Sequence, residues 1–95
     1  MAAYLIVETD ITDPSKYEEY RKRAPASIAK YGGKYLVRGG SLAVLEGDWK
    51  PSRLVMVEFP TLKAAQEWYR SPEYTEAKQF RQGAARMKAV LVEGM

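Results

Sequence analysis

Cysteine and histidine are both absent from the 95 residues, and the two absences remove whole classes of chemistry. Without cysteine there is no disulfide framework, no thiolate metal site and no cysteine nucleophile. Without histidine a serine triad of the usual kind cannot be assembled, and a zinc site would rest on carboxylates alone. A haem would find no axial ligand beyond Met or Tyr, so neither a metal nor a cofactor is expected. Long apolar runs are missing as well. The stretch from Met1 to Val7 meets Glu8 before a signal-type core forms and has no basic start, so the expectation is no signal peptide, no membrane span and a cytoplasmic setting. Charge of one sign is scarce: 15 Lys and Arg stand against 12 Asp and Glu, a net charge of +3. The charges are interspersed, not gathered into a tail or stripe, which argues against nucleic acid or a membrane surface as partner.

What is present reads as one small domain over residues 1–95, 46% hydrophobic, near the size at which a single core becomes adequate. Ala3 to Glu8 is apolar with β-branched residues and reads as a strand, closed by the polar stretch Thr9 to Asp13. Asp13-Pro14 has the cap-then-proline order of a helix start. Tyr17, Tyr20, Ala24, Ile28 and Tyr31 then recur every three or four residues along one side of that helix. Pro25 is expected to bend or break it, and Gly32-Gly33 to end it. Lys34 to Val37 and Ser41 to Glu46 read as one long strand, bulged or bent at Arg38-Gly39-Gly40. A turn at Gly47 to Pro51 leads into a strand from Arg53 to Phe59. Thr61 caps a second helix, which Ser71-Pro72 restarts and which is expected to run to about Gln82 or Gly83. Lys88 to Glu93 is the last strand.

The order is β-α-β-β-α-β, a ferredoxin-like α+β fold with both helices on one face of a four-stranded antiparallel sheet. The first and third strands are expected side by side and parallel. Tyr4-Leu5-Ile6-Val7 and Leu54-Val55-Met56-Val57 are apolar on both sides, yet two helices can cover only one sheet face. A second copy of the chain, packed sheet to sheet in a symmetric homodimer that closes a barrel-like space, is the economical cover.

Alternation places Leu5, Val7, Val55, Val57, Phe59, Val90 and Val92 toward the helices, and Tyr4, Ile6, Glu8, Leu54, Met56, Glu58, Leu91 and Glu93 the other way. With parallel strands, Glu8 and Glu58 would end neighbouring strands on the barrel side. Two carboxylates so placed repel, and one would have a raised pKa suited to proton transfer. The plainer reading leaves both at strand ends, solvated or paired with Arg38 or Arg53 across the dimer. Arg38 stands beside a glycine bend, where its guanidinium could meet an anionic ligand group or pair with Glu46 or Glu58. Trp49 on its turn could line a pocket mouth or touch the partner chain. Tyr17, Tyr20 and Tyr31 read as core and rim, Trp68 as buried. Tyr74 and Arg81, seven residues apart, would share a helix face and offer polar contacts. The glycine pairs match neither a P-loop nor a dinucleotide motif, and Arg53 to Phe59 lacks the aromatic pattern of an RNA-binding strand.

Several stretches taken together, Tyr31-Gly32-Gly33-Lys34-Tyr35-Leu36-Val37-Arg38-Gly39-Gly40, Leu45-Glu46-Gly47-Asp48-Trp49 with Pro51 and Arg53, Trp68-Tyr69-Arg70-Ser71-Pro72-Glu73-Tyr74 and Arg81, resemble the DUF1330 family over nearly the whole chain. That family is similar in fold to the dimeric α+β barrel proteins, which include cofactor-free antibiotic-biosynthesis monooxygenases, muconolactone isomerases and haem-handling members. The resemblance implies a homodimer and, by analogy, a site for a small organic molecule. An enzyme of this kind would carry out a cofactor-independent proton transfer, isomerisation or oxygenation with Glu8, Glu58 and Arg38 as catalytic groups and Trp49, Arg53, Tyr74 and Arg81 around the ligand. The other reading is a binding or structural dimer without catalysis.

Overall fold

A computed structural model describes residues 1–95. The elements run β1 (Ala3–Ile11), α1 (Pro14–Lys30), β2 (Lys34–Arg38), β3 (Leu54–Phe59), α2 (Leu62–Arg70), α3 (Pro72–Gln79) and β4 (Ala85–Glu93). The helix starts are chemical. Asp13 Oδ1 accepts the Lys16 N–H at 3.1 Å, Thr61 Oγ1 the Ala64 N–H at 3.0 Å, and Ser71 Oγ the Tyr74 N–H at 3.1 Å, each satisfying an amide that the first turn leaves free. Ser71 both ends α2 and caps α3, so the second helix is two. Residues 80–83, expected to be helical, form the turn that leads to Ala84 and β4. Pro25 does not break α1, which passes through it. The proline forfeits one backbone bond, but Ala24, Ser27 and Ile28 are buried around it and hold the next turn in place. No helix is long and apolar enough to cross a membrane.

The four strands form one sheet in the order β2-β3-β1-β4, and every pairing is antiparallel. β1 and β3 are therefore neighbours, as expected, but not parallel. The register sets Tyr4 opposite Glu58 and Glu8 opposite Leu54. β1 runs three residues further than expected, to Ile11, because β4 starts at Ala85 and pairs with it throughout. That pairing also corrects the facing of β4. Leu91 lies opposite the buried Leu5, whereas Val90 and Val92 lie opposite Ile6 and Tyr4 and are exposed. β4 is apolar on both sides, so alternation had no means of choosing.

No strand forms at Ser41 to Glu46. β2 is the sheet edge, and residues 40–50 are exposed with no regular structure, since nothing in the chain lies beyond that edge to accept their hydrogen bonds. The strand irregularity falls between Tyr35 and Val37; Gly39, at φ +75°, turns the chain out of the sheet.

The core lies between the helices and one sheet face, centred on Phe59, Val57, Trp68 and Tyr74. Phe59 and Trp68 sit 5.4 Å apart between ring centroids, Trp68 and Tyr74 4.1 Å. Trp68 Nε1 donates to Ser27 Oγ at 3.1 Å, and Ser27 Oγ donates in turn to Ala24 C=O, so the polar atoms carried by these groups are satisfied. α1 is tied to α3 at the surface by Lys30 to Glu73 and by Arg23 to Glu76 at 3.1 Å.

Two outcomes follow from this packing. A Cβ at Gly33 would fall 2.6 Å from Ile28 Cγ2 and 2.8 Å from Phe59 Cε1, so Gly33→Ala is expected to destabilise the fold by about 1–3 kcal/mol in a denaturant titration. Lys30, followed by the backbone N–H of Glu73 itself, holds the Glu73 carboxyl below its ordinary 4.5, and Glu73 raises Lys30 above 10.5. The pair's contribution is therefore full between those values, fades in acid as pH falls through the lowered Glu73 value, and fades in alkali as pH rises through the raised Lys30 value. Glu73→Gln should lower Tm slightly at neutral pH, with the difference from the parent shrinking as the pH is lowered into the acid range.

Candidate functional site

Between the sheet and α1 lies a cavity of about 200 Å³. It exists because the aromatic row of α1 stands over the sheet and meets α3: Tyr20 and Tyr74 join hydroxyl to hydroxyl at 2.8 Å, with ring centroids 6.3 Å apart. The sheet floor follows the register in three rows. Tyr35, Val57 and Leu5 form one; Arg38, Val55, Val7 and Ala89 the next; Arg53, Thr9 and Met87 the last, where the Thr9 N–H donates to the Arg53 carbonyl at 2.9 Å. The roof is Tyr17, Tyr20, Arg21, Ala24, Pro25 and Ile28 from α1, with Trp68, Tyr69 and Tyr74 from α2 and α3, and Arg81 closing from the turn before β4.

The lining is sorted by charge. All of its charged groups are arginines, Arg21, Arg38, Arg53 and Arg81, and no carboxylate is among them. Arg38, Arg53 and Arg81 make no salt bridge; Arg21 lies 3.9 Å from Glu18. Arg38 lies over the Tyr35 ring at 4.5 Å and Arg81 over Tyr20 at 5.9 Å, with an N–H of Arg81 on Met87 Sδ. Arg53 is seated by glycine. A Cβ at Gly39 would fall 2.7 Å from Arg53 Nε. Arg53 and Arg38 belong to the last two rows of the floor, at its Thr9 end, while Trp68 and Ile28 line the other end and Phe59 packs behind Trp68.

Burial pushes the Tyr17 phenol up, with Arg53 and Arg21 pulling against it. Burial also raises Tyr35, against Arg38, and raises Tyr20 strongly, reinforced by Tyr74. These phenols stay neutral and serve as hydrogen-bonding aromatic walls. Tyr69 is the exception: Lys78 Nζ donates to its hydroxyl at 2.8 Å and lowers it.

Of the residues singled out in the sequence, Arg38, Arg53, Tyr74 and Arg81 meet in this cavity. Glu8, Glu58 and Trp49 do not. Glu8 and Glu58 are four residues apart in the antiparallel register, on the opposite sheet face, which at about 3.4 Å per residue separates them by ~14 Å. Each has its own partner: Trp49 Nε1 donates to Glu8 Oε1 at 3.0 Å, and Glu58 pairs with Lys34 at 3.4 Å and with the Tyr4 hydroxyl, whose pKa it raises. No paired-carboxylate site forms. Arg38 bonds to neither Glu46 nor Glu58. The cavity roles of Tyr17, Tyr20, Tyr35 and Thr9 were missed. For Thr9 the signal was present, since Leu5, Val7, Thr9 and Ile11 continue one alternation. No cluster of three or more acidic groups is placed to hold a metal ion.

An antiparallel four-stranded sheet with its helices on one face and a cavity beneath them defines a ferredoxin-like α+β protein. The chain belongs to the family described as "Domain of unknown function (DUF1330)", which it matches over residues 2–95. Its fold is similar to a protein of unknown function from Rhodopseudomonas palustris, 20% identical, with 99% of this chain and 82% of that one covered at a TM-score of 0.78. It is similar also to SnoaB, a cofactor-independent oxygenase from Streptomyces nogalater, at 13% identity, 99% and 93% coverage and a TM-score of 0.70. A dimeric protein of unknown function and ferredoxin-like fold from Bacteroides fragilis matches at 15% identity, 98% and 96% coverage and a TM-score of 0.61. Among curated proteins, no sequence matches this chain.

Tyr20→Phe would leave the buried Tyr74 hydroxyl without its partner, a loss expected to cost about 1–3 kcal/mol. The Tyr20→Phe, Tyr74→Phe double variant should recover part of it, and a denaturant double-mutant cycle measures the difference.

Proposed function

We propose that the protein is a homodimer that binds a small, partly apolar organic molecule in the cavity between α1 and the sheet. One observation carries the binding reading: a half-enclosed space walled by Tyr17, Tyr20, Tyr35, Trp68 and Tyr74 contains four arginines and no acid. A packed core has no use for such a set. An apolar cleft with a few convergent polar groups is the usual form of a small-molecule site, and Arg38, Arg53, Tyr74 and Arg81 are the residues assigned to the ligand.

The dimer rests on the other sheet face. Ile6, Met56, Val90 and Val92 form an apolar field there, with Val90 60% exposed, and Leu45 and Trp49 stand out from the 39–53 segment with little of their own chain against them. A contiguous apolar face of this kind marks an interface, and the Bacteroides relative is named as dimeric. Glu8, Glu58 and Trp49 belong to this face and are assigned to the contact between protomers.

A second reading is a cofactor-independent enzyme for proton transfer, isomerisation or oxygenation. It draws on what the Streptomyces relative is named for and on the arginines, which would stabilise a substrate anion as charge develops. Turnover separates it from a binder: the enzyme forms product, whereas the binder shows only saturable stabilisation.

Light scattering over a concentration series is expected to give twice the 10.8 kDa chain mass, and a thermal-shift screen of small organic molecules to find stabilising compounds. Ligand at a hundredfold excess over Kd adds about 2.7 kcal/mol, and at about 4–8 °C per kcal/mol for a domain of this size Tm should rise by ~10 °C or more. A monomer at every concentration would overturn the dimer, and a screen that stabilises nothing would overturn the binding reading.

A further inference from the structure

Two parts of the chain leave both apolar side chains and backbone groups without neighbours. One is the segment after β2, where Leu42, Val44 and Leu45 are exposed, the last at 91%, and where residues 40–50 make no backbone–backbone hydrogen bond. The other is β4, whose Val90 and Val92 are exposed. β4 is nine residues long, paired with β1 along one side in an unbroken register and with no strand on the other. A long apolar edge with neither proline nor bulge invites another strand. Ser41 to Glu46 has the composition of a strand and no strand of its own to join. Within one chain the two stand at opposite edges of the sheet, because the segment leaves from β2. In a second copy the β4 edge is free to receive it.

One antiparallel register matches them along their length. It sets Leu42 opposite the partner's Val92, Val44 opposite the partner's Val90 and Glu46 opposite the partner's Lys88, and it carries Asp48 toward the partner's Arg86. Apolar meets apolar, and acid meets base. A shift by two residues would set Val44 against lysine or Glu46 against valine, and a shift by one would exchange the faces. Glu46, Asp48, Lys88 and Arg86 take part in no salt bridge. Lys88 and Arg86 have Glu8 and Asp10 opposite them on β1, so each cation would stand between two carboxylates, a favourable cross-strand arrangement. The intervening side chains fall on the helix-facing side. There Leu45 meets the partner's Ala89, a residue that is exposed and lines the cavity. Trp49, bonded to Glu8, already leans the segment toward the uncovered face.

We propose that residues 41–46 of each protomer add as an antiparallel strand to the free edge of the partner's β4 in this register, so that Leu45 of one copy covers the cavity of the other. Made reciprocally, the contact closes on itself as a two-fold dimer requires. This deepens the dimer reading above and rests on it.

The absence of cysteine makes introduced thiols unambiguous. A full-length variant carrying Val44→Cys and Val90→Cys should form a covalent dimer on mild oxidation, because directly opposed cross-strand residues are within disulfide reach. The offset pair Val44→Cys with Lys88→Cys, and each single variant, should crosslink about tenfold or more slowly. In the unaltered protein, amide hydrogen exchange should be slowed at residues 41–46 in the dimer and return to the unstructured rate on dilution to monomer. Crosslinking of the matched pair no faster than of the offset pair or the single variants overturns the inference and leaves the dimer standing. So does unprotected exchange at residues 41–46 in a protein that light scattering shows to be dimeric. A monomer at every concentration removes the inference and the dimer together.

Discussion

The antiparallel register of β1 between β3 and β4 is the constraint on which the rest of the structure depends. Side chains on a strand alternate between faces, so a slip of one residue would exchange the two faces of the whole element. With Leu5 opposite both Val57 and Leu91, the helix-facing rows become Leu5, Val7 and Thr9 with their neighbours. The opposite face becomes Tyr4, Ile6 and Glu8. The first set makes the cavity floor and the second the uncovered apolar field. Cavity floor and uncovered apolar face are thus two consequences of one hydrogen-bonding pattern.

The helical layer then decides that there is a cavity at all. α2 seats Ala65 and Trp68 on the sheet, and Trp68 and Phe59 fill the space between them. α1 instead meets α3, through Tyr20 and Tyr74 and through surface pairs with Glu73 and Glu76. Its long aromatic side chains span the gap to the sheet without filling it. Four arginines line that gap, and no carboxylate stands among them. Gly39 contributes from outside the cavity, since a Cβ there would force the Arg53 guanidinium to shift.

The element order, the three helix caps and the double-sided apolar character of the strands were legible because each depends on residues close in sequence. Asp13, Thr61 and Ser71 cap amides three residues on, and a cap is a local event. Arg38, Arg53, Tyr74 and Arg81, singled out in the sequence, all line the cavity; Arg38 stood out by its glycine bend and Tyr74 and Arg81 by their seven-residue spacing. The Glu8 and Glu58 pair was misjudged for a different reason. Its existence turned on strand direction, which no local pattern encodes, and antiparallel pairing sent the two carboxylates to opposite ends. The facing of β4 failed similarly, since Ala89, Val90, Leu91 and Val92 are apolar without a break. Pro25 was overruled by packing, because burial of Ala24, Ser27 and Ile28 outweighs one missing backbone bond.

The sequence by itself determined the composition of the chemistry and the order of the elements: no thiol, no imidazole, a ferredoxin-like succession and an apolar surface larger than two helices can cover. Those properties follow from residue identity and from spacings within a helical turn or a strand. Only the tertiary structure decided that the tyrosines of α1 and the arginines of β2, of the residue before β3 and of the turn before β4 surround one space, with Thr9 buried at its wall. These are meetings of residues up to 72 positions apart, Thr9 and Arg81 among them. They are set by strand register and helix packing, which depend on the whole chain folding at once.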